Sequence, residues 1–335
     1  MATNTLTQNI NQAINDFKGV RQALMDKGVE IPSGTPTSQY GAKIGEIQTG
    51  GGEQPTKGYQ VTEWDSNGFP LKVKLYGMTE MPAYYFSCTL DGGGFKKLYA
   101  IDDWSNITII RKYAFYNCES LALTSLPEGI TSIDESALRN CSKLALTSLP
   151  DSITSIGRYA FSGCTRLALT SLPEGIKSIS YYAFENCPRL ALTSLPDGLT
   201  TINNGAFSHC TKLALTSLPE GITTIGQNAF LECTQLALTS LPDSITSISY
   251  YAFAYCSSLA LTSLPDGLTT INNFAFRYCV GLTTITIGSA IKTIGTTAFE
   301  GCTNLKTIII NRAEGTVSGA PWGATNATVQ WVGTN

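Results

Sequence analysis

The heptapeptide LALTSLP occurs seven times in this chain of 335 residues, always at intervals of 23 residues. Such a period constrains the fold strongly, because self-similar units of this length stack into one continuous body instead of separate globules. One unit is too short to bury its own apolar side, so each unit needs an equivalent neighbour. The copies begin at Leu121, Leu144, Leu167, Leu190, Leu213, Leu236 and Leu259.

Alignment of the copies separates core positions from surface positions. Leucine at positions 1, 3 and 6, Ile or Leu at 10, Ile at 13, Ala-Phe at 17 and 18 and Cys at 21 are nearly constant, so we assign them to the core. The leucine-rich start predicts one short strand, the Pro-acid-Gly or Pro-acid-Ser segment a turn, and ITSI a second strand. YAFSGC predicts a single 3₁₀ or helical turn. The predicted fold is a β-rich solenoid, a parallel array of 23-residue coils with short helical turns.

Nine of the ten cysteines occupy one position of successive units. Equivalent residues in stacked coils lie about 4.8 Å apart, which a disulfide could bridge, but side chains that point the same way seldom reach its dihedral angle. Free cysteine behaves as a small buried hydrophobic residue, and the residue spacing of a zinc site is absent. We therefore predict reduced core thiols at Cys118, Cys141, Cys164, Cys187, Cys210, Cys233, Cys256, Cys279 and Cys302.

The unit resembles the BspA-like type of leucine-rich repeat, whose units of about 23 residues carry the pattern IP…V…I…AF…C…L. The resemblance covers roughly residues 75–310 and implies a curved parallel-β solenoid that serves adhesion or recognition and has no enzymatic activity. In most units Phe stands in place of Leu138. In the first full unit the pattern is carried by Leu126, Pro127, Ile130, Ile133, Ala137, Leu138 and Cys141.

Both ends of such an array need protection, because an exposed parallel edge invites further pairing. A turn at Asp65–Gly68 between two alternating segments predicts a hairpin in the N-terminal cap. Trp322 and Trp331 lie where the period breaks down near the C-terminus. The predicted organisation is an N-terminal helix and attachment module at 1–50, a linker and N-terminal cap at 51–106, the solenoid at 107–310 and a C-terminal cap at 311–335.

Residues 5–27 predict an α-helix that serves as an attachment segment. Thr5 and Gln8 form a capping-box pattern, and Gly28 ends the helix. The apolar stripe of this helix must be buried either against residues 29–48 or against another chain, and we favour docking on a partner or self-association into a homo-oligomer. The stripe consists of Leu6, Ile10, Ile14, Phe17, Val20 and Leu24.

A second resemblance concerns residues 27–47, which follow the pattern KGV.IP.GT..S.Y..KI..I. This run is similar to N-terminal pieces of phage tail and fibre proteins, and EWDSNGFP and APWGATNAT resemble phage-associated repeat proteins. The N-terminal sequence lacks the basic and apolar regions of a secretion signal. We therefore expect a virion protein that is assembled in the host cytoplasm and bound to other virion proteins through its N-terminal helix.

The composition excludes several classes of function. The net charge of −3 gives no basic footprint for nucleic acid, and the absence of an apolar run of 18 residues argues against membrane insertion. The sole histidine, His209, has no sequence motif of a catalytic triad around it, and phosphate-binding, metal-binding and dinucleotide motifs are absent. We expect no catalysis, no cofactor and no metal.

Three surface columns remain. An acidic column in the Pro-acid turns could attract cations, although solvated turn residues are the favoured interpretation. Thr and Ser of ITSI could bind ice, but they also suit an exposed strand. The aromatic column is the best candidate ligand-binding surface, because tyrosine provides a large contact area for glycans or proteins, although its rings could also simply stack along the array. Its members are Tyr113, Tyr159, Tyr181, Tyr182, Tyr250, Tyr251, Tyr255, Phe274 and Tyr278.

The sequence thus favours a non-enzymatic phage virion protein that presents a leucine-rich-repeat surface for recognition of a host cell-surface glycan or protein. One alternative is a structural spacer or decoration protein without a specific ligand. Another is a bacterial surface adhesin of the BspA-like type.

Overall fold

The computed structural model describes residues 57–66, 69–88 and 95–333, which belong to two compact units. The first unit comprises Met1–Met78 and Cys88–Trp104, and the second comprises Thr79–Ser87 and Ser105–Asn335. In the described ranges, no helix is long and apolar enough to cross a membrane. The predicted helix at 5–27 lies outside these ranges, and so does its stripe of Leu6, Ile10, Ile14, Phe17, Val20 and Leu24.

The described residues form sixteen strands, and ten of these strands are only two residues long. The strands are β1 (Gly58–Trp64), β2 (Pro70–Tyr76), β3 (Glu80–Met81), β4 (Ala100–Asp102), β5 (Ile109–Ile110), β6 (Ser132–Ile133), β7 (Ser155–Ile156), β8 (Ser178–Ile179), β9 (Thr201–Ile202), β10 (Thr224–Ile225), β11 (Ser247–Ile248), β12 (Thr270–Ile271), β13 (Thr284–Ile287), β14 (Thr293–Ile294), β15 (Thr307–Ile310) and β16 (Thr328–Trp331).

The first unit contains a small sheet in the order β1-β2-β4. Strands β1 and β2 form the hairpin that the sequence predicts, and β4 pairs with β2 in parallel. The Asp65 side chain stabilises the turn, because its Oδ1 accepts the Phe69 N–H at 2.8 Å. Lys72 and Asp102 form an ion pair of 2.8 Å between β2 and β4.

The second unit is a parallel β-solenoid, as predicted, in which each coil from β5 to β12 contributes one two-residue strand. Equivalent residues of consecutive coils pair in register, for example Ile133 with Ile156. The strands form ladders in the orders β3-β5-β6-β7, β8-β9-β10 and β11-β12-β14. Because these pairings repeat every 23 residues, one coil of the solenoid corresponds to one unit of the sequence.

The predicted strand at LALTSLP is absent from the first six copies, and the seventh contains only an isolated bridge between Ser263 and Thr286. There the stacked backbones share one hydrogen bond per coil, such as Ala145 N–H to the Leu123 carbonyl at 3.1 Å. A strand does form in the degenerate eighth copy, where β13 pairs with β15 and β15 with β16. The reason is composition: TITI is rich in β-branched residues, whereas LALTSLP has Ala and a proline that cannot donate to a ladder.

The predicted 3₁₀ or helical turn at YAFSGC is also wrong, since the described residues contain no helix. Short turns such as Ala160 N–H to Gly157 carbonyl alternate with bonds to the next coil. Tyr159, Phe161 and Gly163 each donate an N–H to the following coil, at 3.0, 2.9 and 2.8 Å. The alternation requires left-handed residues, which a 3₁₀ helix excludes, and it gives this segment a backbone ladder between coils.

The core consists of the constant columns. Seven phenylalanines stack from Phe161 to Phe299 with centroid distances of 5.3–5.7 Å and interplanar angles of 14° or less. All ten cysteines are buried. Each of the nine periodic thiols donates to a main-chain carbonyl of the preceding coil at 3.0–3.2 Å, as Cys164 Sγ does to Leu138. The predicted buried, reduced thiol column is therefore observed.

The C-terminal segment continues the stack with different side chains. Trp322 is fully buried, its carbonyl accepts the Phe299 N–H at 3.0 Å, and its indole N–H donates to the Ser318 carbonyl at 2.7 Å. Trp331 on β16 packs edge-on against Trp322 with centroids 6.2 Å apart. A buried tryptophan thus continues the core after the last coil.

Candidate recognition surface

Most residues of the aromatic columns occupy two backbone positions in the left-handed region, position 16 before Ala-Phe and position 20 before Cys, whereas Tyr181 and Tyr250 lie at position 15. Tyr159 and Tyr182 have φ values of 55° and 54°. Asn and Gly tolerate this region, but bulky residues pay about 1–3 kcal/mol to adopt it. The conformation turns the Tyr159 N–H toward the Tyr181 carbonyl, 3.0 Å away in the next coil. The rings are therefore held on a rigid part of the ladder.

Most of the predicted aromatic residues stack in pairs between adjacent coils, which was the alternative to ligand binding. Offset stacking of such rings contributes about 0.5–1.5 kcal/mol beyond buried area, and so partly offsets the backbone strain. The pairs are Tyr84 with Tyr113 at 4.8 Å, Tyr159 with Tyr182 at 5.0 Å, Tyr251 with Phe274 at 4.8 Å and Tyr255 with Tyr278 at 5.0 Å, all within 17° of parallel.

Glycine ends two of these stacks. Gly205 and Gly301 occupy the left-handed position in the coils after Tyr182 and Tyr278. A Cβ atom at either glycine would collide with the tyrosine ring of the preceding coil. Each tyrosine ring therefore packs on the backbone of the glycine, and no further aromatic ring joins the stack. The two coils that carry Gly205 and Asn228 separate a first cluster from a second. The first cluster is Tyr159, Tyr181 and Tyr182, and the second is Tyr250, Tyr251, Tyr255, Phe274 and Tyr278.

The tyrosines of position 15 differ from the stacked rings in their exposure. Tyr181 and Tyr250 are 45% and 47% exposed, and no aromatic stacking involves them within the described residues. Tyr113, Tyr159, Tyr182, Tyr251, Tyr255 and Phe274 are half-buried, whereas Tyr278 is 41% exposed. The most accessible tyrosines of the second unit are therefore Tyr250, Tyr181, Tyr84 and Tyr278.

The two clusters occupy equivalent places in a pattern of three coils. SISYYAF occurs at 178–184 and again at 247–253, a separation of 69 residues or three coils. Tyr181 and Tyr250 therefore lie on the same face, about 14 Å apart along the array at ~4.8 Å per coil. In both coils the strand ladder is interrupted, and Ser180 and Ser249 donate their hydroxyls to Ile156 and Ile225 carbonyls at 2.7 and 2.9 Å.

Arginine side chains lie over the rings of both clusters, a feature that the sequence analysis missed. In the first cluster, Arg139 is 4.5 Å from the Tyr159 centroid, and Arg158 is 5.5 and 5.6 Å from the Tyr159 and Tyr181 centroids. In the second, Arg277 is 5.2 Å from the Phe274 centroid. The only signal in the sequence was an arginine beside each aromatic run. Tyr84 was missed as well, because its coil is degenerate.

The remaining columns provide no cluster of potential metal ligands in the described ranges. His209 Nδ1 lies 3.0 Å from Glu232 Oε2, its equivalent in the next coil. Acidic turn residues such as Glu128 and Asp151 are exposed and border only a shallow depression of about 200 Å³. Thr154 of the strand column donates its hydroxyl to the Thr131 carbonyl at 3.4 Å. These residues support the ladder or face water, and none of them forms a catalytic arrangement.

Comparison with known proteins defines the class. Residues 94–214, 143–260 and 177–306 match the BspA type leucine rich repeat region, with six copies. Because these segments span more than half of the chain, the protein belongs to the BspA-type leucine-rich-repeat family. Among curated protein sequences, none is significantly similar to this chain.

Solved structures with a similar fold come from several bacteria. A leucine-rich repeat protein from Bacteroides ovatus is 21% identical, with 78% of this chain and 83% of that chain covered and a TM-score of 0.41. The pneumococcal vaccine antigen PcpA is 18% identical, with coverages of 84% and 88% and a TM-score of 0.47. A leucine rich cell surface protein from Faecalibacterium prausnitzii is 21% identical, with coverages of 82% and 96% and a TM-score of 0.37.

Proposed function

We propose that this protein is a non-enzymatic recognition or adhesion protein whose two aromatic clusters bind a cell-surface ligand. The observation that carries the proposal is the pair Tyr181 and Tyr250, which are exposed at equivalent positions of a rigid array. Aromatic side chains of low conformational entropy, fixed on a stiff backbone, lose little freedom on binding. The glycine and asparagine coils between them keep the two clusters distinct.

The test is adsorption of the full chain to bacterial cells, before and after the double substitution Tyr181→Ala and Tyr250→Ala. We expect the variant to lose adsorption while it keeps its unfolding midpoint, because both side chains are exposed. Gln227→Ala with Thr296→Ala is the matched control, since both residues are exposed at the same position of coils without an aromatic there. Unchanged adsorption of the tyrosine variant would favour the spacer or decoration function.

The finer part of the proposal is that the chain is a virion component, attached to other virion proteins through its N-terminal segment. It rests on the similarity of residues 27–47 to pieces of phage tail and fibre proteins. The alternative is a bacterial surface adhesin, which membership of the BspA-type family favours. Immunogold labelling distinguishes them: gold on purified phage particles supports the virion, and gold on the surface of uninfected bacteria supports the adhesin.

A further inference from the structure

Arg139 and Arg158 give the first aromatic cluster a charge that the second cluster lacks. Both guanidinium groups lie over the Tyr159 ring, so they are no further apart than the sum of 4.5 and 5.5 Å. Arg139 comes from the coil before Tyr159, whereas the stacking partner Tyr182 comes from the coil after it. Arg139 therefore approaches Tyr159 from the side opposite its stacking partner Tyr182. Arg158 lies near both the Tyr159 and the Tyr181 ring.

No carboxylate neutralises these two cations in the described part of the chain. Neither Arg139 nor Arg158 forms an ion pair there, and Arg139 Nε is buried without a hydrogen-bond partner. The corresponding arginine of the second cluster is different, because Arg277 Nη2 lies 2.8 Å from Glu300 Oε1 and its Nε is 3.1 Å from the same atom. Both clusters carry an exposed tyrosine, but only in the second cluster does the arginine form an ion pair with a carboxylate.

We infer that the first cluster, together with Arg139 and Arg158, is a subsite for an acidic sugar residue of a polysaccharide. This inference rests on the proposed function and specifies its ligand. A guanidinium group donates two parallel hydrogen bonds to a carboxylate, and the C–H face of a pyranose ring packs on an exposed aromatic ring. Tyr181 is 45% exposed and lies beside Arg158, so one uronic acid can use both contacts.

The second cluster adds aromatic contact with the same polymer and does not select for a carboxylate. Its exposed ring, Tyr250, lies three coils further along the array, about 14 Å away. Glu300 would repel a carboxylate that approached Arg277, because like charges in a partly desolvated site raise the energy. Selection for a carboxylate is therefore confined to the first cluster.

The test measures binding of the full chain to polygalacturonate, to carboxyl-reduced polygalacturonate and to polyglutamate. We expect polygalacturonate to bind at least about tenfold more tightly than its reduced form, as one charge-assisted pair predicts. The double variant Arg139→Gln and Arg158→Gln should lose this preference and its salt dependence. Arg277→Gln is the matched control and should keep both, because its charge is already compensated.

Three outcomes overturn the inference. They are no binding to polygalacturonate, equal binding of both polysaccharides, and a preference that survives in the Arg139→Gln/Arg158→Gln variant. Equal binding of polyglutamate would indicate an acidic protein partner instead. If cell adsorption still depends on Tyr181 and Tyr250 in any of these cases, the proposed function stands and only the acidic sugar is excluded. If adsorption does not depend on Tyr181 and Tyr250, the proposed function itself is excluded.

Discussion

Cys187 Sγ donates a hydrogen bond to the Phe161 carbonyl, 3.1 Å away in the preceding coil. The same relationship recurs along the array, so each thiol is both an apolar filler and a donor to a buried carbonyl. Burial in this column raises the pKa of Cys164 to about 12 and that of Cys187 well above its usual range. The core therefore tolerates the protonated thiol and excludes the thiolate.

Burial of these cysteine thiols makes the free energy of unfolding depend on pH in the alkaline range. A thiol whose pKa is raised on folding binds its proton more tightly in the folded state, so its contribution is complete below the unfolded pKa of 9.0. As pH rises from there through the folded pKa, we expect the free energy of unfolding to fall by up to ~1.4 kcal/mol per pH unit for each buried thiol. Urea unfolding at a series of pH values measures this slope. The variant Cys187→Ala/Cys210→Ala should be less stable at neutral pH but have a shallower slope, and an equal slope would contradict the prediction.

Gly205 is predicted to be intolerant of any side chain. Its φ is 63°, and a Cβ atom there would collide with the Tyr182 ring. Gly205→Ala should therefore lower the free energy of unfolding by about 1–3 kcal/mol, through backbone strain and displacement of the ring. Gly129→Ala is the control, since the nearest atom to its Cβ would be 3.9 Å away. Chemical denaturation checks both, and equal effects of the two substitutions would contradict the account.

The hydroxyls of Ser180 and Ser249, where the strand ladder is interrupted, are predicted to stabilise the fold as hydrogen-bond donors. Ser180→Ala leaves the Ile156 carbonyl without the 2.7 Å bond, so we expect a loss of about 1 kcal/mol of stability. Ser180→Asn should be close to neutral, because Asn203 occupies the equivalent position and bonds the Ile179 carbonyl at 2.9 Å. If Asn is as destabilising as Ala in denaturant titrations, the hydroxyl is not acting as a donor.

The N-terminal segment is predicted to mediate association. The substitutions Ile10→Asp and Phe17→Asp place charges in the apolar stripe, so they should reduce the assembly state of the full chain. Multi-angle light scattering measures this, and Asn9→Asp with Asn15→Asp controls for added charge on the polar face. The same mass for the stripe variant and the unmodified chain would rule out self-association and leave partner docking or local burial.

The fold was predictable from the sequence because the period and the columns are properties of the sequence itself. Leu, Ile, Phe and Cys recur every 23 residues, and the stacked core of Phe161 to Phe299 follows from that recurrence. The strand at LALTSLP and the helical turn were mispredicted, since local propensity cannot show which N–H groups turn toward the next coil. The direction of these N–H groups depends on residues with positive φ, such as Tyr159. Propensity assigns a bulky residue of this kind to a region of negative φ.

The candidate site was predictable only in part. Variation between the units identified the aromatic column in the sequence. The sequence does not distinguish Tyr181 from Tyr182, although Tyr181 is exposed and Tyr182 is stacked. The difference arises from the alternation of backbone direction at positions 15 and 16. The contribution of Arg139 was invisible for a similar reason, since it reaches Tyr159 from another coil.

The central claim is that the two aromatic clusters are the surface that touches a ligand. Hydroxyl-radical footprinting of the full chain, free and adsorbed to cells, tests it most directly. We predict that adsorption protects Tyr181 and Tyr250 from oxidation, while Tyr99, which is 37% exposed in the other unit, is unaffected. Unchanged oxidation of Tyr181 and Tyr250 in adsorbed protein would contradict the claim.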